Sequence, residues 1–397
     1  MQDNTFMNLY PFLTGRNISE GVGIEFDKKF DDDPLIWKYF HQAGYSTAFY
    51  EDYKMGGLFH WLKKGFMAKP ADHYSRPFSC AVEKTVASSW ASDFCYLDKG
   101  VHQWVGDWTK SYVRAYAKTK IPTFGFVFTT LITHEYTNML GQGDTYYYEF
   151  FKELARDSLL NNTVMIFYSD HGYRYGGLRA TQLGQYEENL PMMNIVLPDW
   201  FKQKYPKETS NLRLNGANRL TSPFDMHRTL LDLCPGCLKK AKSAGFREYG
   251  RSLFDPINED RTCLEAGIPN HFCGCKHTLD ISNPASDKHL QIAAQAVVDK
   301  LNDITKTHRH CVRYKVKSIT YGVKNVRHDI PPSQLDEYVV NVAVTPSTAE
   351  FSATVHIFKD GRSPAVQGIS RVSLYGNTAD CVSDFELRLY CTCDDKI

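Results

Sequence analysis

Apolar and polar positions in roughly the first 235 residues fall into short blocks that switch between the strand period and the helix period. Residues 45–50, 123–129, 164–168 and 192–197 are compact runs rich in β-branched and aromatic side chains, and they predict strands. Between them, Phe150, Phe151, Leu154 and Leu159 recur near helical spacing over residues 146–160, and Asn161-Asn162 closes that helix before the next strand. Another helix starts at Ser222-Pro223-Phe224-Asp225, with Ser as N-cap and Pro in the first turn, and runs through Leu230 to Leu233. His227 lies on it and reads as a polar helix residue near the surface. Strands alternating with helices in this order predict an α/β fold with a mostly parallel sheet, whose ligands gather where the strands end.

The pattern then changes. Residues 256–310 combine clustered cysteines with an amphipathic helix carrying Leu290, Ala294, Val297, Leu301 and Ile304 on one face. Beyond Cys311, residues 338–344, 353–358 and 387–393 alternate apolar with polar and predict antiparallel strands. The expected organisation is residues 1–255 as a large α/β domain, 256–310 as a Cys-rich connection and helix, and 311–397 as a small disulfide-rich α+β module.

At 397 residues and 43% apolar, the chain has material for a large core and a smaller unit beside it. Its 46 basic and 45 acidic residues give a net charge of +1 with no basic tract, so composition offers nothing to nucleic acid. No stretch approaches the about eighteen consecutive apolar residues of a spanning helix, and Met1-Gln2-Asp3-Asn4-Thr5 has neither a basic nor an apolar leader. Eleven cysteines nevertheless argue for disulfides and an oxidising compartment, and their odd number leaves one thiol without an intrachain partner. Cys234-Pro235-Gly236-Cys237 and Cys273-Gly274-Cys275 read as zinc or redox pairs in isolation, but no second pair stands at zinc-ribbon spacing. The sequons Asn17-Ile18-Ser19 and Asn161-Asn162-Thr163 fit a glycoprotein of the extracellular space or secretory pathway, whose signal or anchor is absent from this chain.

Candidate chemistry gathers at one strand end. Ile166-Phe167-Tyr168-Ser169-Asp170-His171-Gly172 takes an apolar run straight into an acid, an imidazole and a glycine. Asp supplies a hard anionic oxygen, neutral His a borderline nitrogen, and Gly172 permits the sharp turn that aims both at one metal. An Asp capping the following turn, beside a His that serves loop backbone, would leave the same sequence.

Thr5-Phe6-Met7-Asn8-Leu9-Tyr10-Pro11-Phe12-Leu13-Thr14-Gly15-Arg16 places a hydroxyl nine residues before a Thr-Gly-Arg turn. In this it resembles sulfatases of the alkaline phosphatase superfamily, whose nucleophile segment ends in Leu-Thr-Gly-Arg at that spacing. Gly44-Tyr45-Ser46-Thr47 resembles their Gly-Tyr-x-Thr strand, residues 163–172 their Phe-x-Ser-Asp-His-Gly segment, and residues 225–233 their later Asp-x-x-x-Thr-Leu-Leu-Asp-Leu helix. The four motifs keep the same order over residues 5–235. A narrower resemblance, to an animal family of sulfatase-like extracellular proteins of unknown function (domain of unknown function 229), runs through residues 44–52, 170–179 and 187–191. It continues into Ile369-Ser370-Arg371 and Tyr390-Cys391-Thr392-Cys393.

The resemblance implies an alkaline-phosphatase-like three-layer sandwich and a metal-dependent hydrolase or transferase acting on phosphate or sulfate esters. Thr5 becomes the nucleophile, as in superfamily members that use a Thr or Ser oxygen, and because position 5 is not Cys, formylglycine chemistry is not expected. Asp170, His171 and His134 become ligands of one or two divalent cations, and Lys54 and Asp144 substrate-binding residues. Imidazole favours zinc or manganese, with calcium open. Asp52 stands where sulfatases carry a sulfate-contacting Lys and Lys54 where they carry His, which argues against their mode of sulfate binding. The superfamily's first strand, which ends in another acidic ligand, has no counterpart in the four residues before Thr5. Weak metal binding and impaired activity are therefore expected of the chain as written, with a membrane anchor only in a longer N-terminal form. The alternative is a noncatalytic secreted pseudoenzyme serving as a binding or structural module.

Overall fold

The computed structural model describes residues 3–17, 29–53, 57–85, 91–92, 94–96, 98–134, 137–179, 181–243, 249–326, 331 and 333–397. The chain divides into two units, one of Asn4–Asp170 and Met192–Gly267, the other of Met1–Asp3, His171–Pro191 and Ile268–Ile397.

In the first unit, strands β1 (Ser46–Glu51), β2 (His73–Tyr74) and β3 (Thr123–Phe128) form a parallel sheet in the order β2–β1–β3. β1 pairs with β3 from Ser46↔Thr123 to Glu51↔Phe128 and is buried along its whole length, the mark of a strand with no solvent face. On one side, Phe49 stacks on Trp37 at 5.1 Å, and both join a core built with α1 (Thr5–Thr14) and α2 (Ile36–Gln42). On the other, Ala48 and Tyr50 pack on Val105 and Tyr112 of α3 (Val101–Tyr116), and the Tyr112 hydroxyl donates to the Ser46 carbonyl at 2.7 Å. Helices thus cover both faces of the sheet. α4 (Asp144–Arg156) precedes β4 (Met165–Tyr168), as the spacing of Phe150 and Leu154 predicts.

β4 departs from the expected parallel rhythm: it pairs antiparallel with β5 (Met193–Val196) in a separate two-stranded ribbon. Two short apolar runs carry no information about strand direction, so their sequence is equally compatible with either pairing. Among the described residues the parallel sheet has three strands, which supports a mixed α/β unit with a small parallel sheet.

The Pro223–Leu233 helix begins as its sequence predicts, with Ser222 as N-cap and its N–H donating to Asp225 at 2.8 Å. His227 corrects the expectation of a surface position. It is fully buried, and its Nδ1–H donates to the Phe12 carbonyl at 3.0 Å, fastening this helix to α1.

The helices of the second unit include the short α5 (Gly176–Arg179) and α6 (Gln182–Asn189) and the long α7 (Lys288–Ile304). Its antiparallel sheet runs β10–β9–β8–β7–β6, from β6 (His277–Asp280), β7 (Lys315–Val326), β8 (Leu335–Thr345), β9 (Glu350–Phe358) and β10 (Ala365–Arg371). α7 lays Leu290, Ala294, Val297 and Leu301 against Val340, Val342, Phe351, Ala353 and Val355. Strand alternation sends Glu337, Asn341, Thr354 and Ser370 to the other face, where they are also buried. The strand expected at 387–393 is instead the helical turn Phe385–Arg388 followed by an isolated bridge between Cys311 and Cys393. Disulfides Cys311–Cys391 and Cys381–Cys393 hold this end of the chain. No helix among the described residues is long and apolar enough to cross a membrane.

Candidate functional site

α1 is stopped and started by its own sequence. Asn4 is the N-cap, its Oδ1 accepting the Met7 N–H at 3.2 Å, and Gly15 closes the helix in the left-handed conformation at φ 68°. Thr5 is therefore the first helical residue, half-buried, and the capping oxygen belongs to its neighbour. Pro11 sits inside the helix without ending it. Phe6 packs edge-on against Phe59 at 6.0 Å, and next to Phe59 the Leu58 N–H donates to Glu51 Oε1 at 2.6 Å. The first turn of α1 consequently lies near the C-terminal end of β1, where parallel sheets display ligands. Farther along α1, Phe12 stacks on Tyr168 at 4.8 Å, two residues before Asp170. Asp170 is half-buried.

The β1 end carries two buried acids. Asp52 is 1% exposed, and its carboxylate accepts the Thr130 N–H at 2.8 and 3.0 Å, the Thr130 hydroxyl at 3.1 Å and the Leu131 N–H at 3.1 Å. Burial pushes it up to about 6, against the pull of those donors. The same turn is closed by the His134 N–H on the Thr130 carbonyl at 2.9 Å. Asp52 thus holds the turn that carries His134, and His134 itself is exposed. Glu51, 4% exposed, is pushed up to about 7 by burial. A side chain at Gly57 would stand 3.2 Å from both of its carboxylate oxygens, so the chain there passes as bare backbone. Asp144 is an exposed first-turn residue of α4, where a carboxylate suits the helix dipole. Lys54 lies outside the described residues.

Sequence reasoning passed over Lys63. Its ammonium stands 4.3 Å from the centre of the Phe6 ring and donates to the Trp61 carbonyl at 2.9 Å, and burial brings it down to about 7. A lysine inside Trp61-Leu62-Lys63-Lys64 gives no sequence signal of this.

In the second unit, the His171 ring bonds through Nδ1 to the Gly172 carbonyl at 2.7 Å. A carbonyl only accepts, so Nδ1 carries the proton and the coordinating lone pair falls on Nε2. Close by in this unit, Glu188, Arg174 and Arg179 are 3%, 7% and 4% exposed. Glu188 pairs with Arg179 and stands 3.7 Å from Arg174 Nε, while Arg174 Nη2 is 3.8 Å from Asp3. This buried cluster was visible only as two stretches of family-like sequence.

Most of the described cysteines are paired with one another. Cys234 and Cys237 are joined as a disulfide, as are the pairs at the C-terminal end, while Cys80 and Cys275 stand outside the disulfides.

Over residues 1–320 the sequence matches the family described as Protein of unknown function (DUF229). The chain belongs to that family. Comparison with curated proteins and with solved structures gives no match. The DUF229 match takes in α1, β1, the Asp170-His171-Gly172 segment and the Arg174, Arg179 and Glu188 cluster, and it ends within β7.

Proposed function

We propose that the chain is a metal-dependent hydrolase or transferase of phosphate or sulfate esters, related to the alkaline phosphatase and sulfatase superfamily, with Thr5 as nucleophile. The observation that carries this reading is the division of labour at the start of α1: Asn4 supplies the capping oxygen, and Thr5 is the first residue of the helix. The partial positive charge of a helix N-terminus favours an oxyanion there. Asp170 and His171 are consecutive in the chain and combine a hard oxygen with an imidazole nitrogen, a donor set suited to zinc or manganese before calcium. The Nδ1–H bond of His171 to Gly172 fits that role, since ligating histidines characteristically donate through their other nitrogen. Asp170 and His171 would hold the cation, with His134 for a second one.

A divalent cation in such a site lowers the pKa of a hydroxyl ligand and offsets charge on the ester oxygens. Thr5 Oγ, giving up its hydroxyl proton to solvent, attacks phosphorus or sulfur opposite the leaving oxygen. The bond to that oxygen breaks, the leaving group draws its own proton from solvent, and Thr5 carries the ester until water or an acceptor hydroxyl displaces it. Lys63, over the Phe6 ring, would meet the anionic ester group in its protonated form. The extracellular or secretory placement draws on the disulfides and on the exposed Asn161 of the second sequon.

One observation favours the second reading, a noncatalytic binding module: Asp52, at the sulfatase lysine position, is fully engaged in holding the Thr130 turn. Metal content by mass spectrometry and hydrolysis of aryl phosphate monoesters, diesters and sulfates separate the two. Stoichiometric metal that disappears in Asp170→Asn, and turnover that falls at least about 1,000-fold in Thr5→Ala, are the expected results. A folded wild-type protein with neither metal nor turnover leaves the binding module.

A further inference from the structure

The segment from His171 to Pro191 closes on itself through two glycines. A Cβ on Gly172 would lie 2.1 Å from the Glu187 carbonyl oxygen, and one on Gly184 would lie 2.0 Å from that of Leu178. Backbone touches backbone at both places, and only glycine leaves room for it. Gly172 is also held from two sides, its N–H donating to the Glu188 carbonyl at 3.1 Å and its own carbonyl accepting the His171 Nδ1–H at 2.7 Å. Glu188 is fixed in turn. Its buried carboxylate pairs with Arg179 and faces Arg174 at 3.7 Å, so moving this residue would leave Arg179 buried without this counter-charge and Arg174 with Asp3 as its remaining acidic neighbour.

We propose that Glu188 is a positioning residue for His171: anchored by Arg174 and Arg179, it fixes the Gly172 backbone and so sets the imidazole in the tautomer that coordinates through Nε2. The relay passes through one residue. Glu188 holds Gly172, and Gly172 holds Nδ1. Outer partners of this kind commonly matter to metal affinity by about 10–100-fold when removed. The inference rests on the reading of His171 as a metal ligand, but its first consequence, the tautomer, is present without metal.

The test uses the full chain with ¹⁵N-labelled histidine, comparing wild type with Glu188→Ala and Glu188→Gln. Long-range ¹H–¹⁵N correlation spectra, assigned with His171→Gln, report which nitrogen carries the proton, and calorimetric titration with zinc alone reports affinity. Wild type is expected to hold His171 as the Nδ1–H tautomer. Glu188→Ala is expected to give a mixture of tautomers and a zinc Kd raised about 10–100-fold. Glu188→Gln, which keeps the shape and loses the charge, is expected to fall between and remains informative where Ala does not fold. The buried His227 signal in the other unit is expected to stay unchanged. A folded Glu188 variant with the wild-type tautomer and a Kd within twofold overturns the proposal. A wild type that binds no zinc counts against the metal reading, while the tautomer comparison still decides the role of Glu188.

Discussion

Burial pushes the His227 imidazole down to about 4 from 6.5, and the unfolded chain returns it to the ordinary value. Between those two values the unfolded state binds a proton that the folded state refuses, so stability falls as pH drops from about 6.5 to 4. In His227→Gln that contribution vanishes, and the stability curve is expected to flatten by up to about 1.4 kcal/mol per pH unit inside the window. Urea midpoints of the two proteins across the acid range read the difference directly; parallel curves would show that His227 titrates normally in the folded state. The burial itself was legible. His227, Leu230, Leu231 and Cys234 stand at i, i+3, i+4 and i+7, the stripe that faces a core, and the polarity of histidine concealed a position that the period had already fixed.

At the scale of elements, alternation proved decisive where a sheet has one apolar face. β8 and β9 follow their inward residues, and α7 covers them as its own stripe requires. Direction is another matter, since β4 and β5 are short runs whose antiparallel pairing depends on chain routing that no local period encodes. Of the candidate site, Thr5, Asp170 and His171 were visible through motif spacing, whereas Lys63 meets Phe6 across a long stretch of sequence and Glu188 meets Arg174 and Arg179 only once the His171–Pro191 segment has folded back on itself. Asp52 illustrates the difference. Its sequence position invites comparison with a substrate-binding lysine, yet its carboxylate organises the turn from Thr130 to His134. Asp52→Lys, which writes the sulfatase residue into this chain, is therefore expected to destabilise rather than to add sulfate affinity. Each buried donor left without an acceptor costs about 1–3 kcal/mol, and amide exchange at Thr130 and Leu131 should accelerate. Unchanged exchange at these two amides would contradict the assignment.

Across the whole molecule, the chain enters the second unit three times, and the piece bearing His171 is the middle one. Within that unit it is held by later sequence: Gln182 bonds to Thr278, and the Tyr186 hydroxyl reaches the Lys276 carbonyl at 3.5 Å. The local stability of the His171 segment is thus tied to residues 268–397, including the Cys311–Cys391 disulfide, whose half-cystines are 80 residues apart. Cross-linking a loop of that length restricts the unfolded chain by an amount worth about 4–5 kcal/mol in the chain-entropy account. Replacing both cysteines by serine in the full chain should lower the melting of the second unit while leaving the core built on α1, α2 and β1 in place. If His171 is a metal ligand, zinc affinity should fall with it, although both cysteines are tied up in their disulfide. Hydrogen exchange on the double variant, read separately for the segments 171–191 and 46–51, checks both parts. Faster exchange in 171–191, unchanged exchange in 46–51 and weakened zinc binding are the expected pattern. Protection of 171–191 that survives the loss of the disulfide would mean that the two glycine contacts and the Glu188 pairs hold this segment unaided.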